Sequence, residues 1–280
     1  MLDLSHRADL DWLADVLDDA RQAAPSADWL LVGAMARDLW LSYAYGIRID
    51  RETTDVDLAV GVTGWENFQA TRAQLLGGGQ FAPVGTLQRL RHRSGRLLDL
   101  VPFGGIEDPE RRIAWPSSGD VRMNVMGCRE SRAGAVSLRL RTGAESRVIT
   151  LPGLIVLKFF AFADRALTQP RKDAYDIHLV LSHYLEAGDA ARLYDEHADL
   201  LEADQFDFTV AGAAVAGRDV RRLLVAHSAM PDQVIGALAA TVAIELNVRG
   251  SNRLLGQVPL QQAETFRQLL LAFQHELLRS

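Results

Sequence analysis

The sequence predicts an α+β protein, a mixed sheet flanked by helices with a C-terminal helical bundle. Three observations predict it. A short apolar run ends at a glycine and opens a helix, strand-length segments crowd the region from residue 55 to 151, and helical periodicity takes over after Pro152. The 280 residues, 48% apolar types and 24% charged, suit one large or two modest globular domains. The shift in pattern places a mixed domain over 1–151 and a helical domain over 152–280. No repeat or low-complexity linker separates them.

The elements follow in order. From about Leu4 to Ala24, Leu10, Leu13, Ala14 and Leu17 share one helical face, and Pro25 stops the helix. Trp29-Leu30-Leu31-Val32 reads as a buried strand that turns at Gly33 into a helix from Ala34 to about Tyr43. Polar Arg51-Glu52-Thr53-Thr54 leads into Asp55-Val56-Asp57-Leu58-Ala59-Val60. Side-chain direction repeats every two residues in a strand, so Asp55 and Asp57 face one side. A helix over about 65–76 ends at Gly77-Gly78-Gly79. Strands are then expected at Leu87–His92, Arg96–Pro102, Val121–Met126, Ala135–Leu140 and Val148–Leu151. Beyond Pro152, helical spacing runs through Leu157, Phe160, Leu179 and Leu181 and returns near 232–248 and 259–278.

Composition excludes several classes. A single cysteine, Cys128, allows no internal disulfide and no cysteine-based zinc site, and fits a reducing, cytoplasmic setting. The acidic opening Met1–Asp9 does not read as a signal peptide, and no apolar run approaches the roughly 20 residues needed to span a bilayer. Net charge is -6, so nucleic-acid binding requires a local patch. His178 and His183 lack metal-ligand spacing, and neither a phosphate-binding P-loop nor a Gly-x-Ser-x-Gly elbow occurs.

The residues that carry chemistry are acidic. Divalent ions held against phosphates need oxygen ligands, and magnesium or manganese is served by a few carboxylates at strand ends. Asp55 and Asp57 meet that need, and Asp99, within Leu97-Leu98-Asp99-Leu100-Val101, is the candidate third ligand. An acid in an apolar strand costs several kcal/mol if buried alone, so Asp99 is either a metal ligand or a carboxylate paired with an arginine. At Gly33 the backbone N–H groups of a helix start can face a phosphate, although a plain strand–helix turn also uses glycine there.

Leu31-Val32-Gly33-Ala34-Met35-Ala36-Arg37-Asp38-Leu39, with Arg51-Glu52-Thr53-Thr54-Asp55-Val56-Asp57-Leu58, resembles the first motif of polymerase-beta-type nucleotidyltransferases. One position departs: Ala34 stands where that motif has glycine or serine, which removes a hydroxyl but leaves the backbone donors. Lys158-Phe159-Phe160-Ala161-Phe162-Ala163-Asp164-Arg165, followed by Arg171-Lys172-Asp173-Ala174-Tyr175-Asp176-Ile177, is similar to the pattern of the AbiEii-like toxins, to which the mycobacterial MenT proteins are also similar. The likeness spans roughly residues 28–185.

The resemblance implies a nucleotidyltransferase-type fold that moves a nucleotide from an NTP to an acceptor, with magnesium or manganese on Asp55, Asp57 and Asp99. It implies nucleotide contacts from Gly33, Ala34, Arg37 and Lys158, the last to the triphosphate. Asp173 is implied as the acid that positions or deprotonates the acceptor hydroxyl, in a cleft completed by the helical domain. Asp176 shares a helical face with Asp173 and is either catalytic or a partner of Lys172 or Arg165. By the same resemblance the acceptor is RNA, the 3′ end of tRNA, and an antitoxin accompanies the chain.

Residues 85–150 carry twelve arginines against seven acids, and Arg89, Arg91, Arg93 and Arg96 cluster before Asp99. Arg89, Arg91 and Arg93 are the candidate RNA contacts, and the same alternation is also that of a solvated strand face. Two other readings stay open. One is transfer to a small molecule or a protein side chain, and the other is a degenerate nucleotide- or partner-binding protein, favoured only by Ala34.

Overall fold

The computed structural model describes the chain except residues 51–52, 117–121, 144, 166–169, 203–204, 248–253 and 280. Arg51 and Glu52 of the first motif, and Val121 of an expected strand, therefore lie outside the described residues. The chain forms two compact units, Met1–Thr150 and Leu151–Ser280.

The first unit carries the strands β1 (Leu2–Asp3), β2 (Asp28–Val32), β3 (Val56–Val62), β4 (Phe81–Pro83), β5 (Arg89–His92), β6 (Leu97–Gly104), β7 (Arg112–Ala114), β8 (Arg122–Asn124), β9 (Val136–Arg139) and β10 (Glu145–Val148). Eight of them form one mixed sheet in the order β1-β9-β10-β2-β3-β6-β5-β4, and β7 and β8 pair separately. Its helices are α1 (Asp11–Ala23), α2 (Gly33–Asp38), α3 (Trp65–Gly77) and α4 (Cys128–Ala133), and α2 runs on into a wider π-helical turn, Leu39–Ala44.

The centre of the sheet explains the near-continuous apolar runs read from sequence. β3 and β6 are parallel, and β2 pairs antiparallel with β3. Leu30, Val56, Leu58, Ala59, Val60, Leu98 and Leu100 have at most 1% of their surface exposed. Strands covered on both faces lose the simple apolar–polar alternation. α1 buries Leu13, Ala14 and Leu17 of the face expected from spacing, with Val16 and Ala20 beside them, and α3 buries Phe68, Thr71 and Leu75. Trp65, Phe68 and Trp115 form a tilted aromatic cluster with ring centres 5.6 to 6.1 Å apart.

Three boundaries differ from the sequence reading. The first helix begins at Asp11, because Leu2 and Asp3 add a short parallel edge to β9 and Ala8–Leu10 make a 3-10 turn. The last strand is Glu145–Val148, and Leu151 already opens a helix. Between β8 and β9 the chain makes α4, entered through Gly127 at φ 88, a left-handed angle suited to glycine. Cys128 lies buried at its start, and burial with Glu107 and Glu130 nearby pushes the thiol up to about 12.

The second unit is helical: α5 (Leu151–Arg165), α6 (Pro170–Ser182), α7 (Arg192–Asp195), α8 (Phe208–His227), α9 (Pro231–Asn247) and α10 (Leu260–Leu278). The periodicity did not single out α8. The first half of its buried face is Ala211, Ala213, Ala214, Val215 and Ala216 with Gly212 and Gly217, and only Val220 and Leu224 follow as larger apolar side chains, so the amphipathic stripe is faint. Small residues let helices approach closely. A Cβ added at Gly217 would lie 2.3 Å from the Phe273 carbonyl oxygen of α10. Asp207 caps α8 by accepting from the backbone N–H groups of Thr209 and Val210. Phe159 stacks on Phe273 with ring centres 5.5 Å apart, and Phe266, Leu269 and Leu270 complete the core from α10. Among the described residues no helix is long and apolar enough to cross a membrane.

Gly217→Ala is expected to destabilise the protein by about 1–3 kcal/mol, the usual range for overpacking against a rigid neighbour. A urea denaturation midpoint equal to the wild type's would contradict this packing.

Candidate active site

Strand register assembles the acidic site. Val32 pairs with Asp57 across β2 and β3, Asp57 with Asp99 across β3 and β6, and Asp99 with Arg89 across β6 and β5. Residues in register share a sheet face, so Asp57, Asp99 and Arg89 stand in a row, with neighbouring strands roughly 4.8 Å apart. Asp55 precedes β3 by one residue and, like Asp57, is half-buried, whereas the intervening Val56 is fully buried.

Gly33 follows Val32 and has φ 73. A Cβ there would lie 2.0 Å from Asp57 Oδ2 and 2.8 Å from Asp57 Cβ. The glycine is thus required twice, for its backbone angle and for the space the Asp57 carboxylate occupies. Sequence alone offered only the first reason.

Asp99 is already engaged. Arg89 donates from Nε to one carboxylate oxygen at 2.7 Å and from Nη2 to the other at 2.5 Å. Hydrogen bonding to Asp99, with the negative charges of Asp99, Asp55 and Asp57, raises the Arg89 guanidinium above its already high range. Sequence reading gave Asp99 two possible roles, metal ligand or arginine partner, and this geometry is the second. Among the described residues no group of three or more His, Cys, Asp or Glu side chains converges on a metal position. Asp55 and Asp57 do fit magnesium or manganese, which can be held by one or two carboxylates when phosphates and water supply the other oxygens.

Arg37 is fully buried. It donates to Asp38 from Nε at 2.7 Å and to the Thr53 hydroxyl from Nη2 at 3.3 Å. Its expected nucleotide contact does not fit this position. Its side chain instead braces the segment that leads into Asp55. Ala34 is 4% exposed within the same helical turn.

The second unit holds its own charged cluster. Lys158 and Arg165 lie two turns apart on α5, and Asp173 and Asp176 lie one turn apart on α6, so each pair shares a face. Asp173 accepts from Arg165 Nη2 at 2.8 and 2.9 Å and from Nε at 3.1 Å, and its Oδ1 lies 3.4 Å from Lys158 Nζ. Lys158 also pairs closely with Asp176. Both aspartates are 0% exposed and Lys158 is 7% exposed.

A model of the family described as "Nucleotidyl transferase AbiEii toxin, Type IV TA system" matches residues 15–268. The chain belongs to this AbiEii family. It is thereby a member of a nucleotidyltransferase family of toxin–antitoxin systems, and the mixed sheet with its helices agrees with that fold. A search of curated proteins returned no match.

In this AbiEii member the sheet brings together Gly33, Asp55, Asp57 and Asp99. The helical unit brings together Lys158, Asp173 and Asp176. Lys158 and Asp173 are each buried against opposite charge. Asp176 pairs with Lys158. Two roles were missed: Arg89 as the partner of Asp99, and Arg165 as the partner of Asp173. The seven-residue spacing of Lys158 and Arg165 was the available sign for the second.

The arginine row also divides. Arg89 is held by Asp99 and Arg93 lies 3.1 Å from Asp19, which also bonds the buried His92. Arg96 stacks over Trp12 at 4.4 Å. Arg91 is exposed and makes no ion pair among the described residues.

Breaking one partner of a buried ion pair leaves an uncompensated charge and costs about 3–5 kcal/mol. Lys158→Met is expected to lower unfolding free energy by that amount in urea titration. A loss near zero would show that the cluster does not hold α5 to α6.

Proposed function

We propose that this chain is a metal-dependent toxin enzyme that transfers a nucleoside monophosphate from an NTP to RNA, at the 3′ end of tRNA. The observation that carries the reading is the seating of the Asp57 carboxylate against Gly33, with Asp55 immediately before the same strand. A divalent ion bound there supplies Lewis-acid stabilisation of the phosphates. Asp55 and Asp57 would hold that ion, and backbone N–H groups of the Gly33–Ala34 turn would face the triphosphate. Arg89 keeps Asp99 in place and offsets part of the negative charge around the aspartate pair. In the reaction the terminal hydroxyl oxygen of the acceptor bonds to the α-phosphorus and gives up its proton to solvent, the bond from that phosphorus to the bridging oxygen breaks, and pyrophosphate leaves.

For the helical unit we propose a positioning role. Lys158, Asp173, Asp176 and Arg165 fix α5 on α6, and the acceptor proton is not assigned to Asp173. Family membership further supports an antitoxin as the partner that offsets growth arrest.

A second reading is transfer to a small molecule or to a protein hydroxyl. It is favoured by one observation, the engagement of Arg89 and Arg93 by Asp99 and Asp19.

The test is incubation of purified protein with magnesium, each labelled NTP in turn and total tRNA, resolved on a denaturing gel. Label is expected on tRNA, and Asp57→Asn is expected to lower it about a hundredfold with an unchanged thermal melt. Undiminished labelling by that variant would overturn the site. Label appearing on protein or a small molecule would select the second reading.

A further inference from the structure

The strongest concentration of arginine in the second unit lies at the C-terminal ends of α8 and α10. Residues 151–280 carry twelve Lys and Arg against sixteen acids, yet four of those arginines line one cleft of about 400 Å³. They are Arg218, Arg221, Arg222 and Arg279, with Asp199 and Glu276 beside them. The helices run in the same direction here, since Gly217 meets Phe273 and Arg221 donates to the Leu277 carbonyl at 3.3 Å. Arg279 follows the end of α10, where the helix dipole favours a cation, whereas Arg218, Arg221 and Arg222 stand on the second half of α8 before its last turn.

The acids do not neutralise all four. Arg218 is the inner member, with 17% of its side chain exposed, and it engages both acids. It is 2.5 Å from Asp199 and 2.6 Å from Glu276. Burden-sharing of that kind orders the floor of the cleft and holds Asp199 well below the usual carboxylate range. The rim is different. Arg222 and Arg279 keep 62% and 55% of their side chains exposed, at 3.2 Å from Asp219 and from Asp199 and Glu276 respectively. Asp219 and Glu276 are buried, and each is also held by a second arginine, Arg192 and Arg218 respectively, so the exposed ends of Arg222 and Arg279 keep N–H donors facing solvent.

We propose that this cleft binds the phosphate backbone of RNA, as a docking surface separate from the acidic strand site. The inference rests on the RNA-acceptor reading above. The lining favours a backbone over a free nucleotide, because its apolar member is Val225 and no aromatic ring is present to stack a base. Guanidinium groups bind phosphate oxygens in pairs, so contact here is independent of sequence. The cleft also supplies basic surface that the β5 row lacks once Asp99 and Asp19 have engaged Arg89 and Arg93.

The experiment is fluorescence anisotropy of a labelled oligouridylate with the full chain over a range of potassium chloride, for wild type, R222A/R279A and R91A. Each lost single-stranded phosphate contact makes the slope of log affinity against log salt shallower by about 0.7. R222A/R279A is expected to lose about 1.4 from the slope with an unchanged thermal melt. Asp219 keeps Arg192 and Glu276 keeps Arg218 in that variant, so neither buried acid is left without a partner. Binding with an unchanged slope in R222A/R279A would overturn the cleft alone, and a loss confined to R91A would move the contact to β5. Absence of RNA binding by the wild type would overturn both the cleft and the RNA-acceptor reading.

Discussion

A side chain at position 33 would occupy the space of the Asp57 carboxylate, and the turn from β2 into α2 is built around that contact. The left-handed backbone at Gly33 turns the chain from β2 into α2, and the missing side chain leaves room for the Asp57 carboxylate. Register does the rest. Antiparallel pairing of β2 with β3 places Val32 opposite Asp57, and parallel pairing of β3 with β6 places Asp99 on its other side. A one-residue slip of β3 would turn Asp57 to the opposite face and bring apolar side chains into its place. The fully buried Val56, Leu58 and Val60 oppose such a slip.

Charge in this protein is held mostly by opposite charge. Arg89 takes both oxygens of Asp99, and Lys158 with Arg165 closes on Asp173 and Asp176. In a poorly solvated setting an unpaired carboxylate is costly, so these partners are the condition on which acids persist in apolar strands and helices. Asp99, Lys158 and Asp173 are each held by opposite charge, and Asp55 and Asp57 are half-buried acids beside the glycine turn.

The mixed sheet and the helical C-terminal half were legible because both follow from apolar periodicity, and the acidic strand was legible because Asp55 and Asp57 alternate with Val56 and Leu58. The partners were not. Whether Asp99 meets a metal or a guanidinium depends on which residue of β5 lies opposite it, and register between strands is not written in either strand alone. Arg89 and Arg93 looked like solvent-facing cations because their acids, Asp99 and Asp19, are distant in sequence from one or both of them. Arg37 looked like a nucleotide contact within its motif, and only the fold turns it toward Thr53. α8 escaped notice because alanine and glycine form its packed face. Its close approach to α10 is what gathers the arginines at their shared end.

The central claim is that the gap at Gly33 positions Asp57 for catalysis. It is tested most directly by Gly33→Ala, assayed for nucleotide transfer and for fold in parallel. An added methyl group must displace the Asp57 carboxylate, and misplacement by about 1 Å costs catalysis on the order of a hundredfold. The account predicts a loss of that size with native circular dichroism and a cooperative melt. Transfer at the wild-type rate in the folded variant would contradict it.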